Sequence, residues 1–220
     1  MPIQAVPEIV RPLVMVGAGG GSLPRIIAEA AAASARPLAG YIEYGDRPEP
    51  PATPLERLGD VTELDDPKFL AAVDLVVAIQ GAGRKGLALR LLQAGANLPS
   101  LVHPAATIST TANLGAGVIV SAGVIVQSDT RIGRFCMLNT AATIDHDNEV
   151  GDFVSIAPGV HTAGGVTIHD EAFVGLGAVI INGVTVGRQA VVGAGAVVTR
   201  DVPPGATVVG NPARVLPGKG

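Results

Sequence analysis

A period of six governs the second half of the chain. Stepping by six from Ile108, the positions read Ile108, Leu114, Val120, Val126, Ile132, Leu138, Ile144, Val150, Ile156, Thr162, Ile168, Val174, Ile180, Val186, Val192 and Val198. Fifteen of these sixteen are Leu, Ile or Val, which makes Thr162 the one departure to explain. Four residues after each comes a mostly small or β-branched residue, from Ala112 and Val118 through Cys136 and Ala142 to Val202. Gly often follows the first position, as at Gly115, Gly133, Gly151 and Gly175. A helix repeats near 3.6 residues and a lone strand at 2. A period of six is a short strand and a tight turn, renewed. Three hexads close one triangular coil, with the branched residue facing inward and the small one expected to ease the corner. Coils stack at about 4.8 Å, so the prism stands on the order of 25 Å tall. Such a repeat exposes strand edges only at its two ends.

The first hundred residues read differently. Pro12-Leu-Val-Met-Val16 is an apolar run that ends in Gly17-Ala-Gly-Gly-Gly-Ser22, and an Ala-rich, helix-favouring stretch follows from Leu23 to Ala35. Strand, glycine loop and helix open a nucleotide-binding βαβ unit, because loop amides and a helix N-terminus suit phosphate oxygens. Leu38 to Tyr44 reads as a second strand, Asp46 to Pro54 as a Pro-rich loop, and Asp74 to Ile79 as a strand buried on both faces. A second glycine-rich turn, Gly81-Ala-Gly-Arg-Lys-Gly86, leads into a helix ending near Gln93. The expected architecture is an α/β half-Rossmann domain over residues 1–102 followed by an all-β prism over 103–220. The glycine loop fits G-x-G-x-x-G only in part, since Ser22 holds the third glycine's place. Nothing later in the chain resembles a hydride-transfer site, so a nicotinamide dinucleotide is disfavoured.

Composition narrows the class. The chain has 220 residues, 29 of them Gly, with 3% aromatics and no Trp, as a prism with tight corners needs. A net charge of −4 without a Lys/Arg cluster argues against a nucleic-acid groove. The single Cys136 excludes an internal disulfide and fits a reducing cytoplasm. The N-terminus lacks a basic, apolar leader pattern, and no run reaches the ~18 apolar residues of a membrane span. A cytoplasmic protein without membrane or nucleic-acid partners is expected.

The two halves in this order resemble the sialic acid O-acetyltransferase/nucleotide-aminosugar N-acetyltransferase family. The motifs that carry the likeness are Gly17-Ala-Gly-Gly20, Gly40-Tyr-Ile-Glu43, Leu101-Val-His-Pro-Ala105, Leu138 to Asp147, Ala163-Gly-Gly-Val-Thr-Ile168 and Val208-Val-Gly-Asn-Pro-Ala-Arg214. The resemblance implies a left-handed parallel β-helix and acetyl-CoA-dependent acetylation of the C4 amine of a nucleotide-linked 4-amino-4,6-dideoxy sugar, GDP-perosamine or a UDP-linked analogue. It also implies a homotrimer with sites between subunits. The chain departs from the family pattern at Gly21-Ser22-Leu23-Pro24 and at Glu43-Tyr44, both near the nucleotide in relatives. Glu43 is a carboxylate able to accept from guanine, or from a ribose.

A sugar amine is largely protonated near neutrality, so a base with a matched pKa is useful, and His suits. The resemblance places that base at His146, its orienting carboxylate at Asp147, and the oxyanion donor at the Gly164 backbone amide. The sequence adds its own signal, since Asn148 occupies a slot otherwise given to small or β-branched residues. Adjacent residues on an ideal strand point to opposite faces, so a His146–Asp147 pair needs a corner or a bulge there, with Asp145 as the stand-in. The nucleotide sugar is expected at Gly17, Gly19, Gly20, Glu43, Tyr44 and Arg84, with Asn139 at the sugar. The coenzyme is expected along Gly164, Ala178, Ala194 and Ala196, with Arg214 near its phosphates. Four His are too scattered for a three-imidazole metal site, and none is expected.

Overall fold

The structure is a computed structural model describing residues 10–17, 22–45, 54–79 and 82–216. The N-terminal half holds β1 (Leu13–Val16), α1 (Ser22–Ala33), β2 (Leu38–Ile42), β3 (Arg57–Gly59), a 3₁₀ turn at Val61–Asp65, α2 (Pro67–Ala72), β4 (Asp74–Val77) and α3 (Ala82–Gln93). The sheet is parallel, in the order β3-β2-β1-β4. Every residue of β1 and of β4 is buried, as suits strands covered on both faces; the one charge among them, Asp74, pairs with Arg36. The sequence reading missed β3, the 3₁₀ turn and α2. These elements are short, and their signals are local: Asp66 caps α2 by accepting from the Lys68 N–H at 2.9 Å, with Pro67 in the first turn.

From Leu101 the chain becomes a prism of two-residue strands. As far as Val197–Val198, strands pair in parallel with the one eighteen residues on, as Met137–Leu138 does with Ser155–Ile156. At the C-terminal end Val191 and Val192 pair with Thr207 and Val208, sixteen on, and Arg214–Val215 returns antiparallel. The strands form three faces. Between them lie three stacked columns of turns. One column carries Ser128, His146 and Gly164, a second Arg134, Asp152 and Asp170, and a third Ala122, Thr140, Pro158, Leu176 and Ala194. From residue 117 to 195 every sixth residue has positive φ, whether Gly, as at Gly123 and Gly159, or not, as at Asp129, Phe135 and Asp147. Each hexad thus turns its corner through one left-handed residue.

Both apolar positions of the hexad face inward. The branched series and the residues four on from it, such as Val118, Ala142, Ala178 and Ala196, form one buried cluster. The small residues therefore fill the prism interior rather than ease its corners. The first strand, Leu101–Val102, pairs with Ile119–Val120, so the prism starts before residue 103 and the join lies just upstream.

The N-terminal domain sits on the face built from Leu101–Val102, Ile119–Val120 and Met137–Leu138. Leu101, Ile119 and Met137 pack against Leu13, Met15 and Ile27. Beside that face Phe135 and Phe153 stack at 5.1 Å from successive turns of the second column, within the apolar cluster of β4 and α3. Arg84 on α3 donates to the Phe135 carbonyl at 2.5 Å, and Lys85 pairs with Glu171 at 2.7 Å. Phe135 is 1% exposed, so its removal empties the seam between the two halves. Phe135→Ala should destabilise the N-terminal domain by about 3–5 kcal/mol. Calorimetry is expected to show the N-terminal transition moved to lower temperature, below an unchanged β-helix transition.

Candidate active site

His146 and Asp147 occupy a turn, not a strand. Asp147 has φ +58, and this left-handed corner swings its carboxylate to the same side as the preceding imidazole. Asp147 Oδ2 lies 2.7 Å from His146 Nδ1. The geometric objection to a pair of sequence neighbours disappears, and Asp145 is left to accept the His146 backbone N–H at 2.9 Å. The hydrogen bond from Asp147 comes first among the causes that raise the His146 pKa above its ordinary value, followed by the nearby charge of Asp145. The pairing leaves Nε2 as the nitrogen facing outward for proton transfer.

Gly164 follows His146 by eighteen residues and stacks on it in the same column. A Cβ on Gly164 would stand 2.5 Å from His146 Cε1 and 2.7 Å from Nε2. Only a residue without a side chain lets the imidazole lie there. Gly165 N–H donates to the His146 carbonyl at 3.0 Å and Gly183 N–H to the Gly164 carbonyl at 3.1 Å. Among the described residues the Gly164 N–H has no such acceptor, so it is a donor open to an oxygen placed beside the imidazole.

The interior behind this turn is polar. Thr130, Asn148 and Thr162 are buried, whereas the rest of the prism core is apolar. Asn148 Nδ2 donates to the carbonyls of Asp145, His146 and Ala163 at 2.9, 3.1 and 2.9 Å. Thr130 Oγ1 donates to the Asp145 carbonyl at 2.7 Å, and the Asp145 N–H donates to Thr162 Oγ1 at 3.3 Å. Thr162, the one break in the sixfold series, thus belongs to the support of this turn. Asn148 Oδ1 is buried without a partner, a cost of about 1–3 kcal/mol.

The other expected residues fall into two further groups. Gly17, Glu43 and Tyr44 gather at the C-terminal edge of the parallel sheet, where ligands of such sheets bind. Gly17 N–H donates to the Ile42 carbonyl at 2.9 Å. With φ +85 and a virtual Cβ 2.4 Å from Ile79 Cγ2, Gly17 admits no side chain. A virtual Cβ on Gly83, at the start of α3, lies 3.7 Å from Tyr44 Oη. Glu43 pairs with Arg57 at 2.8 Å, a cation that the sequence reading did not single out. Gly19 and Gly20 lie outside the described residues. Asn139 and Ala194 belong to the third column of turns, where Asn139 Oδ1 accepts from the Thr140 N–H at 2.8 Å. Arg214 is exposed near the end of the stack.

Arg84, Ala178 and Ala196 make contacts within the fold. Arg84 is committed to the domain seam: its guanidinium is buried, its pKa is lowered by that burial, and it donates to Phe135. Ala178 and Ala196 face the prism interior with 0% exposure. Their N–H groups donate to the Gly175 and Gly193 carbonyls, and their carbonyls accept from the His161 and Val179 N–H groups. Among the described residues no group of three or more His, Cys, Asp or Glu could hold a metal ion.

Two outcomes follow from this geometry. Gly164→Ala keeps an allowed backbone, because Gly164 lacks a positive φ, but it evicts the imidazole. Its kcat should fall about 100-fold with little change in thermal midpoint. A base must be neutral, so kcat/KM should fall as pH drops through the His146 pKa, which the Asp147 carboxylate raises above its ordinary value. In Asp147→Asn that acid limb should move to lower pH, as a pH–rate profile would show.

A family model described as the hexapeptide repeat of succinyl-transferase matches residues 165–200. No curated protein matches the sequence. Solved structures do. A variant of perosamine N-acetyltransferase from Caulobacter crescentus, in complex with CoA and GDP-perosamine, superposes with a TM-score of 0.84 at 32% identity, over 94% of this chain and 97% of that one. The acetyltransferase domain of PglB from Neisseria gonorrhoeae, in complex with acetyl coenzyme A, gives 0.84 at 36% over 94% and 100%. WeeI from Acinetobacter baumannii gives 0.80 at 27% over 93% and 99%. With both halves aligned to such relatives, the chain belongs to the sialic acid O-acetyltransferase/nucleotide-aminosugar N-acetyltransferase family of left-handed β-helix acyltransferases.

Proposed function

We propose that this protein transfers the acetyl group of acetyl-CoA to the C4 amine of a nucleotide-linked 4-amino-4,6-dideoxy sugar, with GDP-perosamine as the first candidate. The observation that carries the reading is the His146–Asp147 pair lying against the Gly164 peptide. It stands in a chain whose relative holds CoA and GDP-perosamine. In the proposed reaction His146 Nε2 takes the proton as the amine attacks the thioester carbonyl carbon. The Gly164 N–H holds the oxygen of the tetrahedral intermediate. Collapse breaks the C–S bond, and the imidazolium returns its proton to the departing thiolate, giving the amide and free CoA.

The C-terminal edge of the parallel sheet is the proposed nucleotide seat, with Gly17 against the phosphates and Glu43 or Tyr44 toward the base. His146 stands on the column of turns opposite the face that the N-terminal domain covers. That separation supports a site completed by a second copy, with the base of one subunit facing the nucleotide of another. A homotrimer of this kind would also cover Phe173, Leu176, Val179 and Ile181, which are 46, 58, 37 and 38% exposed within one coil. Among the described residues no helix is long and apolar enough to cross a membrane, which is compatible with a cytoplasmic site of action.

The test is free-thiol release from acetyl-CoA with GDP-perosamine, UDP-linked 4-amino sugars and free sialic acid. Turnover with one nucleotide-linked amine and none with sialic acid is expected. Turnover with sialic acid alone would make the protein an O-acetyltransferase. Nucleotide-sugar binding without thiol release would make it a sensor. His146→Ala should lose about 10²–10⁴-fold in kcat with little change in nucleotide affinity. Light scattering should report three chains, and a monomer would contradict the shared site.

A further inference from the structure

We infer that Asn148 is a positioning residue which, from inside the prism, fixes both the catalytic base and the oxyanion donor. The inference rests on the reaction proposed above. Asn148 is 0% exposed and touches neither substrate face. Its Nδ2 donates to the carbonyls of Asp145, His146 and Ala163. These three oxygens define three peptide planes. The first two flank His146 on either side, and the third is the Ala163–Gly164 peptide, whose N–H is the proposed oxyanion donor.

A trans peptide is planar, with its N–H and C=O pointing in opposite directions. Drawing the Ala163 carbonyl inward therefore turns the Gly164 N–H outward, and polarising that carbonyl makes the N–H a better donor. The same amide holds the backbone of His146 one coil below. One buried side chain thus sets the height and orientation of two groups eighteen residues apart. All three contacts are carbonyl oxygens, so only the NH₂ end of the side chain can face them.

The rest of the repeat supplies the contrast. The equivalent interior slots on this column hold Ala112, Thr130, Val166, Val184 and Val202, and those on the others include Ala142 and Ala172. Thr130, the polar one among them, donates to the same Asp145 carbonyl. An Asn there leaves Oδ1 buried without a partner. Folding alone would favour Ala or Val. The polar residue is retained where it grips the base and the donor, as expected of a local rule broken at a functional site.

The test uses Asn148→Ala and Asn148→Val in the full-length protein, each residue being one the repeat already uses. The thermal midpoint is expected to hold or rise. In the acetyl-transfer assay kcat should fall about 10- to 100-fold, while KM for both substrates stays within about twofold. A purely structural role predicts instead a lowered midpoint with kcat and KM changing together. A readout independent of turnover is the carbonyl ¹³C resonance of Ala163 and of His146, expected to move upfield on loss of the hydrogen bond. A parent protein inactive with every amino sugar would contradict the proposed reaction, and the carbonyl shifts would still test the clamp. Wild-type kcat in both variants, unmoved carbonyl resonances, or failure of both variants to fold would overturn the role of Asn148.

Discussion

Parallel pairing between strands eighteen residues apart is the constraint on which the rest depends. It closes the backbone hydrogen bonds of every coil and fixes which turn stacks on which. His146 and Gly164 share a site because their separation is one full coil. Both stand on turns of the stack, and the candidate site inherits its rigidity. The left-handed residue that each hexad needs at its corner has a second use here. At Asp147 it brings a carboxylate and its neighbouring imidazole to the same side, which a continuous strand would forbid.

A prism packed with Val, Ile and Ala gives a turn only apolar support. At one level this prism departs from that rule. Thr130, Asn148 and Thr162 supply donors and acceptors to the backbone of Asp145, His146 and Ala163. Each places polar atoms where the repeat elsewhere places apolar ones, and Asn148 carries an unpaired oxygen. Stability is surrendered locally for a fixed geometry at the reacting groups. The opposite economy holds at the domain seam. There Phe135 and Phe153 project from corner positions outward into the N-terminal core, and Arg84 closes the contact by donating to a prism carbonyl.

Much of this was legible in the sequence because the signals are periodic. The sixfold series predicts the prism, and eighteen-residue arithmetic predicts that Gly164 stacks on His146. The breaks at Thr162 and Asn148 mark the site from composition alone. What was not legible depends on direction rather than period. Ala178 and Ala196 look like corner residues in a string of letters, yet the hexad sends both its apolar positions inward. Arg84 reads as a nucleotide-sugar contact after a glycine turn, but the carbonyl it donates to lies fifty-one residues away. The short β3 and its Arg57, which pairs with Glu43, follow a Pro-rich stretch with no alternating pattern to betray them.

The account turns on which nitrogen of His146 carries the proton. It requires Nδ1–H held by Asp147 and Nε2 free to act. Titration of the His146 imidazole by ¹⁵N NMR tests this directly. The predicted result is the Nδ1–H tautomer at alkaline pH, with protonation of Nε2 at a pKa above the ordinary histidine value. An Nε2–H tautomer, or a pKa at or below that value, would contradict the pairing from which the proposed chemistry is built.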